Sequence, residues 1–304
     1  MKVRIGIVTH NRADILPKAI AAALEQDYAD IEVVVFDDAS TDNTPQLESD
    51  FPGVQWLRTE TPIGYRDARN QLMRDTDADA FCSLDDDSWF LEKDAITQGV
   101  TALRNNQKLA AVAYDILDEA TPEKSDHRSV QPAHTFIGCG HLLRLSAVEE
   151  AGYYEDVPGS YGGEEKDLSI RLLDLGYEVE LHRGVHVWHD KTMAARNVAS
   201  QHASGVSNDL AFAARRFPTA TALWGIPGKA LSHLAFAIRF AFRSNSSRSS
   251  FDKSIVEQIG RWGFVLPTSK GIASFLATLP KTLTRRRGVS SATLRTYLRR
   301  SRSA

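Results

Sequence analysis

Short apolar runs rich in β-branched residues alternate with amphipathic stretches through the first half of the chain. The strand candidates are residues 3–8, 31–36, 54–57, 80–84 and 109–114, and the helix candidates between them are residues 15–24, 44–49, 68–73 and 95–103. This alternation predicts βαβ units and a parallel sheet. Ligands of such sheets bind beyond the carboxyl ends of the strands, so the residues that follow each strand are the first candidates for function.

The pattern in the second half is less regular. Residues 117–134 are polar and predict a loop, residues 164–175 predict a helix, and residues 178–181 and 185–188 predict two closing strands. From residue 191 onward the pattern is helical, with interruptions by prolines and a serine-rich stretch. We therefore predict an α/β domain over residues 1–200 and a helical extension over residues 201–304.

The composition of the 304 residues, 42% hydrophobic and 25% charged, is that of a globular protein and excludes a disordered chain or a disulfide scaffold. The net charge of −3 is unevenly distributed, because residues 281–304 carry eight basic residues and no acid. An acidic body argues against nucleic acid as a partner, whereas a basic tail can lie on an anionic membrane surface. Without a signal peptide or an apolar run of about 18 residues, we expect a cytoplasmic protein, with peripheral association at the inner face of the membrane as an option.

The two cysteines, Cys82 and Cys139, are far apart in the sequence and lack the spacing of metal ligands. In a cytoplasmic protein such cysteines are typically buried and reduced. We predict that both are buried thiols.

Three consecutive acids, Asp85, Asp86 and Asp87, follow the strand at residues 80–84. Their carboxylates repel one another, and a divalent cation removes the repulsion. An acidic turn that caps the next helix is the alternative.

Polar residues also follow the first two strands. Asp38 comes after residues 31–36. Ser40 or Asp42 can cap the next helix, so capping does not require Asp38. This acid can therefore accept a hydrogen bond from a ligand's base or ribose. Thr9 and Asn11 lie at a similar junction, where capping of the following helix is the alternative.

Five motifs occur in the order found in one known family. They are IVTHNR, VVVFDDASTDNT, GYRDARNQL, SLDDDSW and GGEEKDLSIRLLDLGYEVEL, and together they extend over most of residues 1–190. The chain thereby resembles the inverting family 2 glycosyltransferases of GT-A fold. The resemblance implies a Rossmann-like, mixed and mostly parallel sheet flanked by helices, and a nucleotide-diphosphate sugar as donor.

The resemblance also implies roles for individual residues. The nucleotide would be bound by Thr9, Asn11, Arg12, Asp38, Arg69 and Asp86, and Mn²⁺ or Mg²⁺ by Asp85, Asp87 and His189. The general base would be Glu165, the second acid of its motif; because the family usually has Asp there, Glu164 is the alternative. A hydrogen bond from a pyrimidine N3–H to Asp38 favours a UDP- or dTDP-sugar, although the N1–H of guanine also fits.

Two helices of the extension have apolar stripes. For residues 230–242 we predict that Leu231, Ile238 and Phe242, together with Leu234, pack against the catalytic body. The alternative is that this helix lies in a membrane interface. For the basic helix at residues 291–300 we predict that its apolar face, which includes Leu294 and Tyr297, binds an anionic membrane.

The prediction for the whole chain is a metal-dependent inverting glycosyltransferase that acts on a hydroxyl of a glycan or lipid-linked acceptor, in polysaccharide or glycoconjugate synthesis. Nucleotidyl transfer onto a sugar phosphate is a second enzymatic possibility, although Glu165 would then have no task. A catalytically silent sugar-nucleotide-binding or membrane-scaffold subunit is the alternative from another class.

Overall fold

A computed structural model describes residues 1–124, 128–190, 197–243 and 256–303. Within these residues, nine strands form one sheet. The strands are β1 (Val3–Thr9), β2 (Ile31–Asp37), β3 (Gln55–Arg58), β4 (Ala80–Asp85), β5 (Ser88–Phe90), β6 (Leu109–Leu117), β7 (Ser129–Pro132), β8 (His141–Arg144) and β9 (Glu178–His189).

Helices connect these strands and make up the C-terminal part of the chain. They are α1 (Leu16–Leu24), α2 (Tyr65–Arg74), α3 (Ala95–Asn105), α4 (Leu145–Ala151), α5 (Glu164–Asp174), α6 (Val198–Arg216), α7 (Thr219–Phe242), α8 (Val265–Thr284) and α9 (Ser291–Ser303). A 3₁₀ helix, Thr44–Asp50, joins β2 to β3.

The strand order is β3-β2-β1-β4-β8-β6-β9-β5, and β7 pairs with β9 outside this path. The pairs of β1 with β2, β1 with β4, β2 with β3 and β6 with β9 are parallel. β8 is antiparallel to both β4 and β6, and β5 is antiparallel to β9. The predicted mixed, mostly parallel GT-A sheet and the helical C-terminal region are confirmed.

The first strand is central to the core because it lies between β2 and β4. Val3, Ile5 and Ile7 on one of its faces are fully buried and pack in one hydrophobic cluster with α1. Leu16 and Ile20 of α1 belong to the same cluster, and their spacing of four residues puts them on one helix face. This packing fixes the carboxyl end of β1 at the edge of the sheet where the sequence predicts functional polar residues.

Two segments differ from the sequence-based expectation. Residues 129–132, in the predicted loop, form β7, because the pairing of an edge strand uses backbone groups and needs no hydrophobic pattern. The two predicted closing strands are one strand, β9, whose pairing with β6 shifts register between Tyr114 and Asp115. Gly184 supports this irregularity with a φ of +81°, and its N–H donates to Asp115 at 3.1 Å.

The chain divides into two compact units. Unit 1 comprises Met1–Tyr154, Arg171–Lys191 and Tyr297–Ala304, and unit 2 comprises Glu155–Ile170 and Thr192–Thr296. The limits of the units fall inside α5 and α9. Compact units need not fold as separate domains, so the predicted division at residue 200 stays a prediction.

Unit 2 contains α6, α7 and α8. Leu210 and Ala214 of α6 form a hydrophobic cluster with Phe275 of α8. Gly271 allows the close approach of these helices, since a Cβ there would lie 2.5 Å from the carbonyl oxygen of Ala203. No helix in the described part of the chain is both long and apolar enough to span a bilayer.

Both expectations for the apolar stripes of the extension are wrong in part. Leu231, Ile238 and Phe242 of α7 are exposed, so this stripe is not packed as predicted. In α9, by contrast, Leu294 and Tyr297 are buried, so the apolar face predicted to bind a membrane is largely covered. The aromatic ring of Tyr297 contacts His134, with ring centroids 5.3 Å apart.

Candidate active site

The acidic triplet forms a tight turn in unit 1 between β4 and β5. Asp85 is the last residue of β4, and Ser88 begins β5. The Ser88 hydroxyl accepts a hydrogen bond from the Asp85 N–H at 2.8 Å, which closes the turn. Three carboxylates are thereby held at the carboxyl end of a parallel strand, as predicted.

β8 and β9 bring two further side chains to this turn. β8 runs antiparallel to β4 with His141 opposite Ser83, so continuing the register by two residues puts Cys139 opposite Asp85. β9 runs antiparallel to β5 with His189 opposite Ser88.

Gly140 makes the approach of Cys139 possible. It has a φ of +122°, and a Cβ at this position would lie 2.8 Å from Ile116 Cδ1. Its N–H donates to the Ser83 carbonyl at 2.9 Å and so ties the segment to β4. A residue with a side chain would be strained here by both its backbone angle and its neighbours.

Asp85, Cys139 and His189 form a cluster of three candidate metal ligands. Each offers one ligand atom, and these atoms lie within 4.8 Å of one another. His189 Nδ1 lies 3.2 Å from Cys139 Sγ, and His189 Nε2 lies 3.2 Å from an Asp87 carboxylate oxygen. A carboxylate and an imidazole suit a divalent cation, and a thiolate adds softness that favours a transition metal over Mg²⁺. The donors present therefore suit a transition-metal ion better than Mg²⁺.

Cys139 was missed as a candidate ligand by the sequence analysis. Both cysteines are buried thiols, as predicted, yet only Cys139 belongs to the cluster. Cys82 lies inside β4, where burial raises the pKa of its thiol far above the usual range. Spacing in the sequence carries no signal for Cys139, because an antiparallel strand from a distant segment brings it to Asp85.

Asp86 lies in the most crowded part of the turn. Burial and the adjacent Asp87 carboxylate raise the pKa of Asp86 to about 7, and Arg12 partly offsets the rise. Arg12 follows β1, so the predicted nucleotide ligands Arg12 and Asp86 interact electrostatically across neighbouring strand ends.

Arg69 pairs with the first acid of the triplet. It lies on α2, is almost fully buried, and its guanidinium contacts the Asp85 carboxylate. The Tyr65 ring lies 5.1 Å from the Arg69 guanidinium carbon. A buried arginine beside this acidic edge can donate to phosphate oxygens, as the predicted role requires.

Asp38 is buried and anchors the loop that leads into α2. Its two carboxylate oxygens accept hydrogen bonds from the N–H groups of Ile63 at 2.7 Å and Gly64 at 2.8 Å. The oxygen bonded to Ile63 also accepts from the Thr59 hydroxyl at 3.3 Å, whereas the one bonded to Gly64 retains a lone pair, so the predicted contact with a nucleobase is compatible with this anchoring.

The residues after β1 connect this strand to the loop after β2. The Asn11 side-chain oxygen accepts from the Thr41 N–H at 2.7 Å, and Asn11 itself has a φ of +54°. Asn11 therefore stabilises the backbone of the loop after β2. This role is closer to the capping alternative than to a contact with the nucleotide. The Thr9 hydroxyl is buried at the end of β1, close enough to the Asp86 carboxylate to lower the pKa of that group.

The two candidate bases begin α5, in unit 2. Glu164 is buried and one of its carboxylate oxygens has no partner within the described residues, whereas Glu165 is half-buried. Gly162 and Gly163 precede them with φ values of +76° and +99°, a conformation that favours glycine. The N-terminal end of a helix stabilises carboxylates electrostatically.

Residues of α6 hold the start of α5 in place within unit 2. The Asn208 side chain accepts from the Gly159 N–H and donates to the carbonyl of Tyr161 at 3.1 Å. Arg216, fully buried, makes a bidentate ion pair with Asp167 at 2.7 and 2.9 Å.

The sequence of residues 4–152 matches the family model described as glycosyl transferase family 2. This chain belongs to glycosyl transferase family 2. The match ends before α5, so the acidic turn of this glycosyltransferase lies within the matched segment and Glu164 and Glu165 lie outside it. Among functionally curated proteins, none matches the chain in sequence.

Solved structures share the GT-A fold of this glycosyltransferase at low sequence identity. The mannosyltransferase PcManGT from Pyrobaculum calidifontis, in complex with GDP-Man and Mn²⁺, is 17% identical with a TM-score of 0.58, over 91% of this chain and 87% of that one. S. aureus TarS 1–349, in complex with UDP-GlcNAc, is 13% identical with a TM-score of 0.58, over 93% and 91%. GalNAc-T7, with UDP, GalNAc and Mn²⁺, is 14% identical with a TM-score of 0.60, over 90% and 57%.

The Arg216 ion pair predicts a specific effect on stability. Arg216→Met leaves the buried Asp167 carboxylate without its bidentate partner, which lowers the free energy of unfolding by about 3–5 kcal/mol. Arg285→Met removes a partly exposed ion pair with Asp156 and lowers it by no more than about 1 kcal/mol. Urea unfolding of both variants measures the difference. Equal losses would contradict the role given to Arg216, and adding Asp167→Asn to Arg216→Met should restore part of the lost stability.

Proposed function

We propose that this glycosyltransferase is a metal-dependent, inverting enzyme that transfers a sugar from a nucleotide-diphosphate donor to an acceptor hydroxyl. The acceptor is a glycan or a lipid-linked sugar, and the reaction belongs to polysaccharide or glycoconjugate synthesis. The observation that carries the proposal is the cluster of Asp85, Cys139 and His189 beside Arg69 at the carboxyl edge of the sheet. The Mn²⁺ and nucleotide sugars in the complexes of structural neighbours support it.

The metal would be held by Asp85, Cys139 and His189, with the predicted ligand Asp87 beside them in contact with His189. A bound divalent cation would stabilise the negative charge that develops on the diphosphate as it leaves. Arg69 would donate hydrogen bonds to the same phosphate oxygens. The Asp87 carboxylate can accept a hydrogen bond from His189 Nε2 only when that nitrogen carries a proton. The contact therefore influences which nitrogen of the imidazole is available to a metal.

The nucleoside would bind at the ends of β1 and β2. Asp38 would accept a hydrogen bond from the base, and Thr9, whose buried hydroxyl lies beside Asp86, would contact the nucleoside. Arg12 and Asp86 complete this group, with Asn11 shaping the loop. A uracil or thymine base is favoured, and a guanine donor is tested beside them.

The acceptor hydroxyl would lose its proton to a carboxylate of α5 as its oxygen attacks the anomeric carbon. The new glycosidic bond forms while the bond from the anomeric carbon to the diphosphate oxygen breaks, so the configuration inverts. We assign the proton acceptor to Glu165, which is half-buried and therefore partly accessible. Glu164 is the alternative, because its unpartnered buried oxygen is also available to a ligand.

Nucleotide binding with metal is the first test. UDP, dTDP or GDP at about 100 times its Kd should add about 2.7 kcal/mol to the free energy of unfolding, and the gain should vanish with EDTA. Asp85→Asn should abolish the metal-dependent gain, whereas Asp50→Asn, the same change at an exposed surface acid, should not. Thermal unfolding with each nucleotide, Mn²⁺ or Mg²⁺ measures both. Absence of stabilisation by any nucleotide would favour a silent scaffold subunit.

The base assignment predicts unequal effects of two conservative substitutions. Glu165→Gln should lower kcat by about 10²–10⁴-fold with donor affinity unchanged, because a carboxamide cannot accept the acceptor's proton. Glu164→Gln should have a smaller effect on kcat. Steady-state transfer rates and nucleotide-induced stabilisation, measured in parallel, separate catalysis from binding. A larger loss for Glu164→Gln would move the base to that residue.

The Cys139 thiol gives the metal site a spectroscopic signature. With Co²⁺ in place of Mn²⁺, the wild-type chain should show a near-ultraviolet thiolate-to-cobalt charge-transfer band. Cys139→Ser should lose the band and bind Co²⁺ more weakly, while Cys82→Ser should retain it because Cys82 is outside the cluster. Co²⁺ binding without the band in the wild type would exclude Cys139 as a ligand.

A further inference from the structure

Helix α7 exposes an apolar stripe along most of its length. Trp224 is 82% exposed, Leu231 66%, Ile238 48% and Phe242 74%. Their spacings of seven, seven and four residues put them on one face of the helix. At 1.5 Å per residue, the stripe from Trp224 to Phe242 is about 27 Å long.

The opposite face of α7 is also apolar, and it is the one that packs. Ala237, Phe240 and Ala241 are buried, and Phe240 contacts the ring of Phe264 with centroids 4.7 Å apart. The exposed stripe is therefore not needed for the packing of unit 2. Exposed contiguous apolar surface of this kind marks an interaction site.

The stripe continues onto a second aromatic residue. Trp262, which is 57% exposed, meets Phe242 edge to face, with ring centroids 5.3 Å apart. Trp224 and Trp262 thus lie at the two ends of the same exposed surface. Tryptophan is enriched where proteins meet the boundary between lipid headgroups and acyl chains.

The exposed charges close to the stripe in sequence are mainly positive. The segments 219–243 and 256–284 contain six lysines and arginines and one acid, Glu257, and of the six Lys229 and Lys281 form ion pairs, with Asp209 and Asp156. Arg239, Arg243 and Arg261 are all exposed near the apolar residues in sequence. An amphipathic helix with aromatic and aliphatic residues on one face and cations beside them is typical of proteins that lie in a membrane interface.

We propose that Trp224, Leu231, Ile238, Phe242 and Trp262 form a docking surface for an anionic phospholipid bilayer, with α7 lying in the plane of the membrane. A bilayer attracts the surrounding cations as it covers the apolar face. A second copy of the chain is the less favourable occupant, because a twofold interface would pair this surface with one that carries the same exposed cations.

Helix α9 does not fit this role as well as α7. Leu294 is 4% exposed and Tyr297 6%, so two of its three apolar residues are already covered. Arg300 donates to the carbonyl of Ala133 at 3.1 Å, which ties the helix further. The basic residues of α9 can add electrostatic attraction, but the apolar contact belongs to α7.

Vesicle flotation of the full chain tests the surface. The wild type should bind vesicles of phosphatidylcholine mixed with phosphatidylglycerol more tightly than vesicles of phosphatidylcholine alone, and added salt should weaken the binding. Leu231→Gln together with Ile238→Gln should weaken binding about a hundredfold or more, because each leucine-sized side chain that loses an apolar environment accounts for about tenfold to a hundredfold. Trp224→Gln, at the most exposed position, provides a second variant in case the double variant is unstable.

Two control variants test whether any loss of vesicle binding is specific to the stripe. Leu24→Gln changes an exposed leucine of α1, and Leu298→Gln changes the exposed leucine of α9; both should leave vesicle binding unchanged. Nucleotide-induced stabilisation should be the same in all variants, so failure of membrane docking is distinguishable from failure of the proposed function.

Three outcomes would overturn the proposal. The first is absence of binding to either vesicle, and the second is a stripe variant that binds as the wild type does. The third is a concentration-dependent dimer, detected by light scattering, that the stripe variant abolishes while vesicle binding is absent. That result would assign the surface to a second copy of the chain.

Discussion

Asp85, Asp86 and Asp87 bring three carboxylates to the end of one buried strand, and unit 1 must offset their mutual repulsion. Like charges this close raise one another's pKa unless an opposite charge is near. The effect is visible at Asp86, whose pKa is raised to about 7 by burial and by Asp87. In an isolated hairpin the repulsion between these carboxylates would disfavour the turn. Other parts of unit 1 must therefore supply groups that stabilise it.

The compensating groups come from separate parts of the chain. Arg69 reaches Asp85 from α2, His189 reaches Asp87 from β9, and the charge of Arg12, after β1, acts on Asp86. None of these contacts is local in sequence, so each depends on the order of strands in the sheet. The stability of the turn and the order of the strands are therefore coupled. A divalent cation held at Asp85 and His189 would add positive charge beside these carboxylates.

Some parts of this site could be predicted from the sequence and others could not, because they depend on different features of the chain. The parallel half of the sheet and the strand ends at Thr9, Asp38 and Asp85 follow from alternation of strands and helices, because parallel strands end at the same edge. Cys139 could not be found in that way, since its place opposite Asp85 depends on the antiparallel return of β8. Likewise β7 has no hydrophobic signal, because a short edge strand is specified by backbone pairing.

The helical region shows a different limit of sequence patterns. A helical wheel identifies apolar stripes, but it does not tell which stripe a neighbouring element covers. In α7 the chain has apolar residues on two faces, and the face with Ala237 and Phe240 is buried because small and aromatic side chains pack closely there. The bulkier stripe with Leu231 and Phe242 stays exposed. In α9 a single stripe is available and is covered. In this chain the number of apolar faces therefore distinguishes the two helices, because α9 has one and largely buries it, whereas α7 has two and buries only one.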